Sequence, residues 1–193
     1  MIAKHVPMRS QASSSFTGLV EYITDEQSKE HRLGSVAITN CRGANLQDAL
    51  LDVETSQALN TRATGDRTFH LIIAFPPGEE PKANVLAEIE ARVCTALGYG
   101  EHQRVSAVHN DTDNLHIHIA INKIHPETRR YHEPYQFHRT LGEICQKLEE
   151  EYNLQRVNHI PQKRGAEGRA HDMERHAGIE SLITWVRREC LEP

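Results

Sequence analysis

Long hydrophobic runs are absent from this sequence: no apolar segment approaches the roughly 20 residues that a helix needs to cross a bilayer. The N-terminus, MIAKHVPMRS, also lacks the apolar core of a signal peptide. Cysteines are few and far apart, and without a C-x-x-C pair they indicate neither a disulfide framework nor a zinc knuckle. The sequence therefore predicts a cytoplasmic protein, not inserted in a membrane, with four buried thiols: Cys41, Cys94, Cys145 and Cys190.

Positive charge is also scarce, because 22 Lys and Arg residues stand against 27 Asp and Glu residues, a net charge of −5. This balance argues against a non-specific nucleic-acid coat but leaves room for a local basic groove. Acid is concentrated in runs such as Glu149-Glu150-Glu151, which we interpret as a solvated helix face. Histidine, in contrast, is abundant, with 13 in 193 residues.

The apolar pattern of residues 1–158 alternates between the period of strands and the period of helices. Strand patterns cover 1–8, 34–40, 67–75, 103–109 and 115–123, and helix patterns cover 15–26, 45–59, 82–97 and 137–152. We therefore predict an α+β domain with about five strands in a mainly antiparallel central sheet, with helices packed on it. The polar residues that follow predict a linker and a C-terminal helix over 159–193, with the helix itself at 177–190.

Histidines are concentrated in the last predicted hairpin, whose strands are joined by the turn sequence N-D-T-D-N. Because side chains alternate across a strand, His116 and His118 project from one face, together with Asn122, which we expect to support the histidines from behind. A tight hairpin brings His109 opposite them. Three neutral imidazoles that converge on one point, with positions left for water or substrate, describe a catalytic metal site. The alternative is a solvated polar strand face, which leaves the clustering of the histidines unexplained.

Two acidic residues in this turn, Asp111 and Asp113, are candidates to orient the imidazoles from behind. On the first predicted helix, Tyr22 lies at the flank of an apolar stripe, where its hydroxyl is accessible. This position suits a nucleophile, but it also suits an ordinary tyrosine at the edge of a core. Basic and aromatic residues alternate in R-R-Y-H-E-P-Y at 129–135, a pattern typical of single-stranded nucleic-acid binding and of surface loops.

Three motifs together resemble one known family: the first strand M-I-A-K-H-V-P, the helix segment L-V-E-Y-I-T-D that carries Tyr22, and the hairpin H-N-D-T-D-N-L-H-I-H-I-A-I-N-K. They are similar to the plasmid conjugation relaxases of the IncP type, in the MOBP class of HUH endonucleases. The resemblance covers about residues 1–158, which we interpret as the relaxase domain. It extends to the family's middle motif around H-L-I-I-A-F, except that Ala74 stands where the family often has serine.

The resemblance implies the HUH fold and the metal-dependent nicking and rejoining of one DNA strand at a transfer origin. Tyr22 would attack the scissile phosphate and form a 5′-phosphotyrosyl intermediate, assisted by Asp111 or Asp113. The three histidines would bind one divalent ion, Mg²⁺ or Mn²⁺. Expected partners are single-stranded origin DNA, relaxosome accessory proteins and a coupling protein with its type IV secretion system. The expected location is the donor cytoplasm, with transfer to the recipient alongside the DNA.

The DNA contacts expected from charge and from proximity to the motifs are Lys4, Arg9, Arg62, Arg67, Lys123 and Arg130. One alternative function is a cleavage-deficient module that binds origin DNA, for which Ala74 is the hint. Another is a rolling-circle replication initiator or transposase of the same superfamily, but there the tyrosine usually follows the histidines, whereas Tyr22 precedes them. A small-molecule metalloenzyme using the same histidines is the third. Because relaxases are often much longer, residues 159–193 fit the start of a truncated C-terminal region.

Overall fold

The computed structural model describes residues 1–7, 15–25, 32–43, 45–110 and 112–159. All five predicted strands and the four helices predicted before residue 153 are present. β2 is as long as predicted but begins one residue earlier, and the other elements are shorter than predicted. The strands are β1 (Ile2–His5), β2 (Leu33–Thr39), β3 (Thr68–Ala74), β4 (Arg104–His109) and β5 (His116–Asn122), and the helices are α1 (Phe16–Thr24), α2 (Leu46–Ala58), α3 (Ala83–Ala96) and α4 (Phe137–Glu151). The predicted linker and C-terminal helix lie outside the described residues, apart from His159.

The five strands form one sheet in the order β1-β3-β5-β4-β2, and each neighbouring pair is antiparallel. This confirms the predicted α+β class and sheet. Strand β5 is central and hydrogen-bonds on both sides, whereas β1 and β2 form the edges. β1 ends earlier than predicted because Pro7 has no N–H to continue the ladder, although Val6 still donates to the His70 carbonyl at 2.9 Å.

Helices cover both faces of the sheet, so two apolar cores form. One core joins the odd-numbered apolar residues of β3 and β5 to α3 and α4. The other lies between β4, β5 and the apolar stripe of α1 and α2. The predicted histidine face of β5 is therefore the face that α1 covers, which refutes the alternative of a solvated strand face.

Helix α1 is fixed by its sequence at its start and along one side. Ser15 caps it, since the Ser15 hydroxyl accepts the Gly18 N–H at 3.1 Å. The predicted stripe is buried against the sheet and consists of Phe16, Leu19, Val20 and Ile23. This burial leaves the flank of the helix, and Tyr22 with it, facing outward.

The acidic run at the end of α4 is only partly the solvated face that the sequence predicts. Glu149 is 2% exposed, and its carboxylate pairs with the N-terminal ammonium of Met1 and with His159 at 3.0 Å. The physical reason is helical periodicity: Glu149 lies four residues after the buried Cys145 and shares its side of the helix. The prediction was therefore wrong for Glu149, whereas Glu150 is exposed.

Two of the predicted buried thiols are confirmed, Cys94 and Cys145, and Cys41 is half-buried. Burial raises the pKa of Cys41 and of Cys145 to about 11, so these thiols stay protonated. Cys190 lies outside the described residues. None of the described helices combines the length and the apolar character that a membrane span requires.

Candidate metal and tyrosine site

Three histidines meet where the β4–β5 hairpin closes. The register of the hairpin pairs His109 with His116 and Ala107 with His118, so all three imidazoles lie on one face and at one end of the sheet. Their ring centroids are 4.6 to 5.3 Å apart, and one ligand nitrogen from each lies within 4.8 Å of the others. This spacing suits three ligands of one ion and brings together the residues that the sequence singled out.

Each imidazole is also held by a partner on its other side. His109 Nε2 lies 2.6 Å from the carbonyl of Ile23 in α1, and His116 Nδ1 lies 2.9 Å from the carbonyl of Asn114. His118 Nδ1 lies 2.9 Å from His70 Nε2 on β3. A neutral imidazole that uses one nitrogen in this way can present the other to a metal. The ligand atoms would then be Nδ1 of His109 and Nε2 of His116 and His118.

The buried part of the site favours neutral imidazoles. Burial lowers the pKa of His118 to about 3, with a further contribution from the charge on a protonated His109. Burial also lowers the pKa of His70 to about 4. Metal ions bind the neutral form of histidine, so at neutral pH these side chains are already in the state that a metal site needs.

Tyr22 lies beside the histidines. Its ring centroid is 6.3 Å from that of His118 in an edge-to-face arrangement, and the residue is 50% exposed. The Arg32 guanidinium carbon lies 5.7 Å from the centre of the tyrosine ring, and Arg32 Nη1 donates to the carbonyl of Asp25 at the end of α1. The arrangement therefore sets an accessible hydroxyl-bearing ring, a cation and three potential ligands next to one another.

Sequence reasoning missed two residues here, His70 and Arg32. Strand alternation predicts that His70 lies on the face of β3 that is opposite to its apolar residues. It does not predict that β5 is the neighbouring strand, because this pairing joins residues far apart in the sequence. Arg32 stands just before β2 and has no periodic signal. It is 4% exposed, and its carbonyl accepts the Asn110 N–H at 2.9 Å, which ties this end of the site together.

The other residues predicted to support the histidines do not all lie beside them. Asp113 is exposed in the turn, and Asp111 lies outside the described residues. Asn122 is buried at the opposite end of β5, four residues and about 13 Å from His118. Its side chain instead donates to Gln103 at 2.9 Å and accepts from Gln57 at 3.2 Å. The alternation that put Asn122 on the histidine face was right, but the length of the strand separates it from the site.

Ala74, the departure from the family's middle motif, is paired directly with His116 across β3 and β5. Its methyl group therefore stands on the sheet face that carries the histidines. A serine at this position would present a hydroxyl beside His116.

Three of the basic residues predicted to contact DNA are exposed, as such contacts must be: Lys4, Arg62 and Arg130. A fourth, Arg9, lies outside the described residues.

Lys123 and Arg67 are corrections to this prediction. Lys123 is 4% exposed, and its ammonium lies 2.7 Å from Glu133. Arg67 is half-buried and donates to the carbonyls of Gln57 and Ala63 at 2.7 and 2.9 Å. Lys123 is thus buried in an ion pair, and Arg67 uses two of its N–H groups inside the protein, so both are less accessible to a phosphate than the prediction requires.

Sequence comparisons show which known proteins are similar. A family model described as the MobA/VirD2-like nuclease domain of relaxases matches residues 22–154, and one described as the TraI-like middle domain matches residues 167–193. Two Escherichia coli proteins named TraI are 64% identical over 192 residues and 56% identical over 191 residues. These alignments cover 100% and 99% of this chain but 26% of each relative, so the chain spans about a quarter of their length.

More distant matches are shorter or weaker. Protein MobA of Acidithiobacillus ferrooxidans is 40% identical over 63 residues, which is 33% of this chain and 15% of that protein. A chain from the structure described as "Molecular Basis of Vancomycin Resistance Transfer in Staphylococcus aureus" superposes with a TM-score of 0.45 and 12% identity, covering 68% of this chain and 77% of the other.

Proposed function

Because the chain belongs to the MobA/VirD2-like relaxase nuclease family, whose model matches residues 22–154 of its 193, we propose that it nicks and rejoins one DNA strand at a transfer origin through Tyr22. The predicted relaxase family and enzyme class are thus confirmed, whereas the IncP-type subclass stays a prediction. One observation carries the proposed chemistry: the exposed Tyr22 ring lies 6.3 Å from the ring of His118 in the three-histidine cluster.

The proposed reaction is a transesterification. The Tyr22 oxygen forms a bond to the scissile phosphorus as the bond to the 3′-oxygen breaks, and the tyrosine proton ends on that leaving oxygen. The products are a free 3′-hydroxyl and a 5′-phosphotyrosyl link, which keeps the energy of an ester. The same tyrosine can therefore be displaced by a 3′-hydroxyl when the strand is rejoined. Asp113, and Asp111 outside the described residues, are still proposed to assist this attack, directly or through one of the histidines.

His109, His116 and His118 are the proposed ligands of one divalent ion, in a family that is metal-dependent. When bound, such an ion supplies Lewis-acid polarisation of the scissile phosphate. We propose Mg²⁺ or Mn²⁺ in the cell. Three imidazoles favour Mn²⁺, Co²⁺, Ni²⁺ or Zn²⁺ over Mg²⁺, which prefers oxygen ligands, so the tightest ion in vitro need not be the physiological one.

The surroundings of the reaction are proposed from the same family membership. Residues 1–158 would form the nuclease domain, with 159–193 leading into a C-terminal region. Lys4, Arg62 and Arg130 would contact the single strand. The partners of the longer protein would be relaxosome accessory proteins and a coupling protein with its type IV secretion system. The reaction would take place in the donor cytoplasm, and the protein would enter the recipient with the DNA.

A covalent-adduct assay tests this proposal. The protein is incubated with single-stranded oligonucleotides that span candidate transfer origins, with Mn²⁺ or Mg²⁺ or with a chelator, and resolved on a denaturing gel. We expect a protease-sensitive, shifted band that is lost in Tyr22→Phe, in His116→Ala and with the chelator. Tyr135→Phe is the matched control, because Tyr135 is 86% exposed on the surface. Binding of origin DNA without any adduct would instead identify a cleavage-deficient module.

A further inference from the structure

A second feature lies away from the histidines, in a cleft of about 960 Å³ between the loop that follows α2 and the turn that follows β5. We call it the distal cleft, and its functional lining consists of Arg62, Arg129, Arg130, Tyr131, Asn60 and Thr64. Among the described residues that line it, none is acidic. In a chain with a net charge of −5, three arginines without a carboxylate make a local positive site.

The two walls of the distal cleft are joined to each other. Asn60 Nδ2 donates to the carbonyl of Arg129 at 2.6 Å, and Asn60 Oδ1 accepts the Ala63 N–H at 2.7 Å. The buried part of Arg67 braces the same loop through its bonds to the carbonyls of Ala63 and Gln57. The cleft is therefore built before a ligand arrives, which lowers the ordering cost of binding.

An aromatic ring is fixed at the edge of the distal cleft. The Tyr131 hydroxyl donates to Glu133 at 2.5 Å, and the Lys123 ammonium lies 2.7 Å from the same carboxylate and 5.9 Å from the centre of the ring. The backbone of Tyr131 also forms an antiparallel bridge with Ile124. Because Tyr131 is still 39% exposed, its positioned ring offers a surface on which a base can stack.

The charges around the cleft leave its arginines available to an anion. Arg62 and Arg130 are exposed. Arg129 Nη1 donates to Ser56 Oγ at 2.9 Å, and the other N–H groups of this guanidinium can bind an anion. Of the three acidic residues that flank the cleft, Glu133 is paired with Lys123, Asp66 accepts the Thr68 N–H at 2.8 Å, and Glu127 is exposed beside Thr128.

The distal cleft lies at a distance from the histidines that one DNA strand can span. Ile124, its bridge to the sheet, is six residues beyond His118, or about 20 Å at 3.3 Å per residue. At 3.4 Å per stacked nucleotide, 20 Å corresponds to about six nucleotides, and to fewer in an extended strand.

We infer that the distal cleft binds a segment of the single strand whose phosphate reacts with Tyr22, with a base stacked on Tyr131 and phosphates held by Arg62 and Arg130. The inference rests on the proposed function, because it assumes a DNA substrate. Single-stranded DNA fits better than an acidic peptide, since the cleft pairs guanidinium groups with a fixed aromatic face.

Binding of a labelled oligo(dT) of about 30 nucleotides to the full chain tests the stacking part, because stacking tolerates any base. Fluorescence anisotropy should show binding weakened about tenfold in Tyr131→Ala and within about twofold of wild type in Tyr131→Phe, which keeps the ring. An oligonucleotide that carries photoreactive 5-iododeoxyuridine should crosslink to the peptide with Tyr131. Equal affinities for wild type and Tyr131→Ala, with no crosslink there, would overturn the inference.

The phosphate part is tested by the salt dependence of the same binding between about 50 and about 200 mM NaCl. Each lost phosphate contact lowers the slope of log K against log[salt] by about 0.7 for a single strand, so Arg62→Ala with Arg130→Ala should lower it by about 1.4. Arg139→Ala, an exposed arginine on α4, is the matched control. An unchanged slope in the double variant would refute the contacts, and so would an equal loss of affinity for polyglutamate, which would indicate a general anion site.

The adduct assay separates this inference from the proposed function. If wild type forms the Tyr22-dependent adduct but the cleft variants bind oligo(dT) normally, only the cleft inference fails. If the cleft variants bind weakly but wild type forms no adduct on any origin, the proposed chemistry fails, and of the inference only the contact between the cleft and a single strand remains.

Discussion

Replacing His70 with alanine should weaken metal binding although His70 is not itself a proposed ligand. His70 Nε2 lies 2.9 Å from His118 Nδ1, and both residues are buried, at 6% and 7% exposure. The bond fixes the orientation of the His118 ring and decides which nitrogen can face a metal. In His70→Ala, His118 loses this partner in a place that water reaches poorly.

The size of the effect follows from these contacts. A buried polar group that loses its hydrogen bond costs about 1 to 3 kcal/mol, which corresponds to about 5- to 150-fold in affinity. Replacing residues that orient a metal ligand typically costs about 10- to 100-fold, in agreement with this range. We therefore expect the affinity of His70→Ala for Mn²⁺ to fall by about 10- to 100-fold. His70→Gln keeps an amide that can bond to His118, so it should recover part of the loss.

Titration of Mn²⁺, followed by the electron paramagnetic resonance of the free ion, measures this affinity, and circular dichroism checks that each variant is folded. His138→Ala is the matched control, because His138 is exposed on α4. His116→Ala, which removes a proposed ligand, should reduce the affinity further. A folded His70→Ala variant that binds Mn²⁺ as tightly as wild type, while His116→Ala does not, would refute the orienting role. Unchanged binding in both would refute the metal site itself.

Three further changes test the fold and the site. Glu149→Gln leaves the N-terminal ammonium buried without its charge partner and should lower the free energy of unfolding by about 3 kcal/mol. The exposed control Glu150→Gln should change this free energy by less than about 0.5 kcal/mol. Chemical denaturation measures both, and equal stabilities of the two variants would contradict the buried pair. Burial lowers the pKa of His102 to about 4, so the unfolded chain binds more protons than the folded protein as the pH falls from 6.5 towards 4. Stability should therefore drop by at most roughly 1 kcal/mol per pH unit, and His102→Gln should flatten this dependence in thermal unfolding at pH 7 and pH 5. An equally steep drop in the variant would contradict this role of His102. Arg32→Ala should slow adduct formation by Tyr22 about tenfold at unchanged Mn²⁺ affinity, and loss of both together would show a general collapse of the site.

The histidine hairpin could be predicted from the sequence because its information is local. Strand alternation sets His116 and His118 on one face, and a short turn brings His109 across from them. His70 could not be predicted as their neighbour, since nothing local states that β3 pairs with β5 in the register that sets Ile72 opposite His118. Long-range register decides this contact.

Charge alone misled the sequence analysis in the segment after β5. Lys123 and Arg130 are both basic and only a few residues apart, yet Lys123 is buried against Glu133 and Arg130 is exposed. Which of two cations faces solvent depends on the partner that the fold supplies. Glu149 is a different case, because its spacing from Cys145 already placed it on the buried side of α4.

The sheet constrains the proposed metal ligands more strongly than the covering helix α1 constrains Tyr22. The proposed metal ligands stand on β4 and β5, and β5 hydrogen-bonds to a strand on each side, so their backbone is constrained by the centre of the sheet. Tyr22 stands on the flank of a short helix that is fixed by its apolar stripe, its Ser15 cap and the contact between the Ile23 carbonyl and His109. That last contact joins the helix that carries Tyr22 directly to a proposed metal ligand. Because one histidine links the two, a shift of the metal site can therefore move the tyrosine, and a shift of the tyrosine can move the metal site. The exposed side of the tyrosine stays open to a DNA strand.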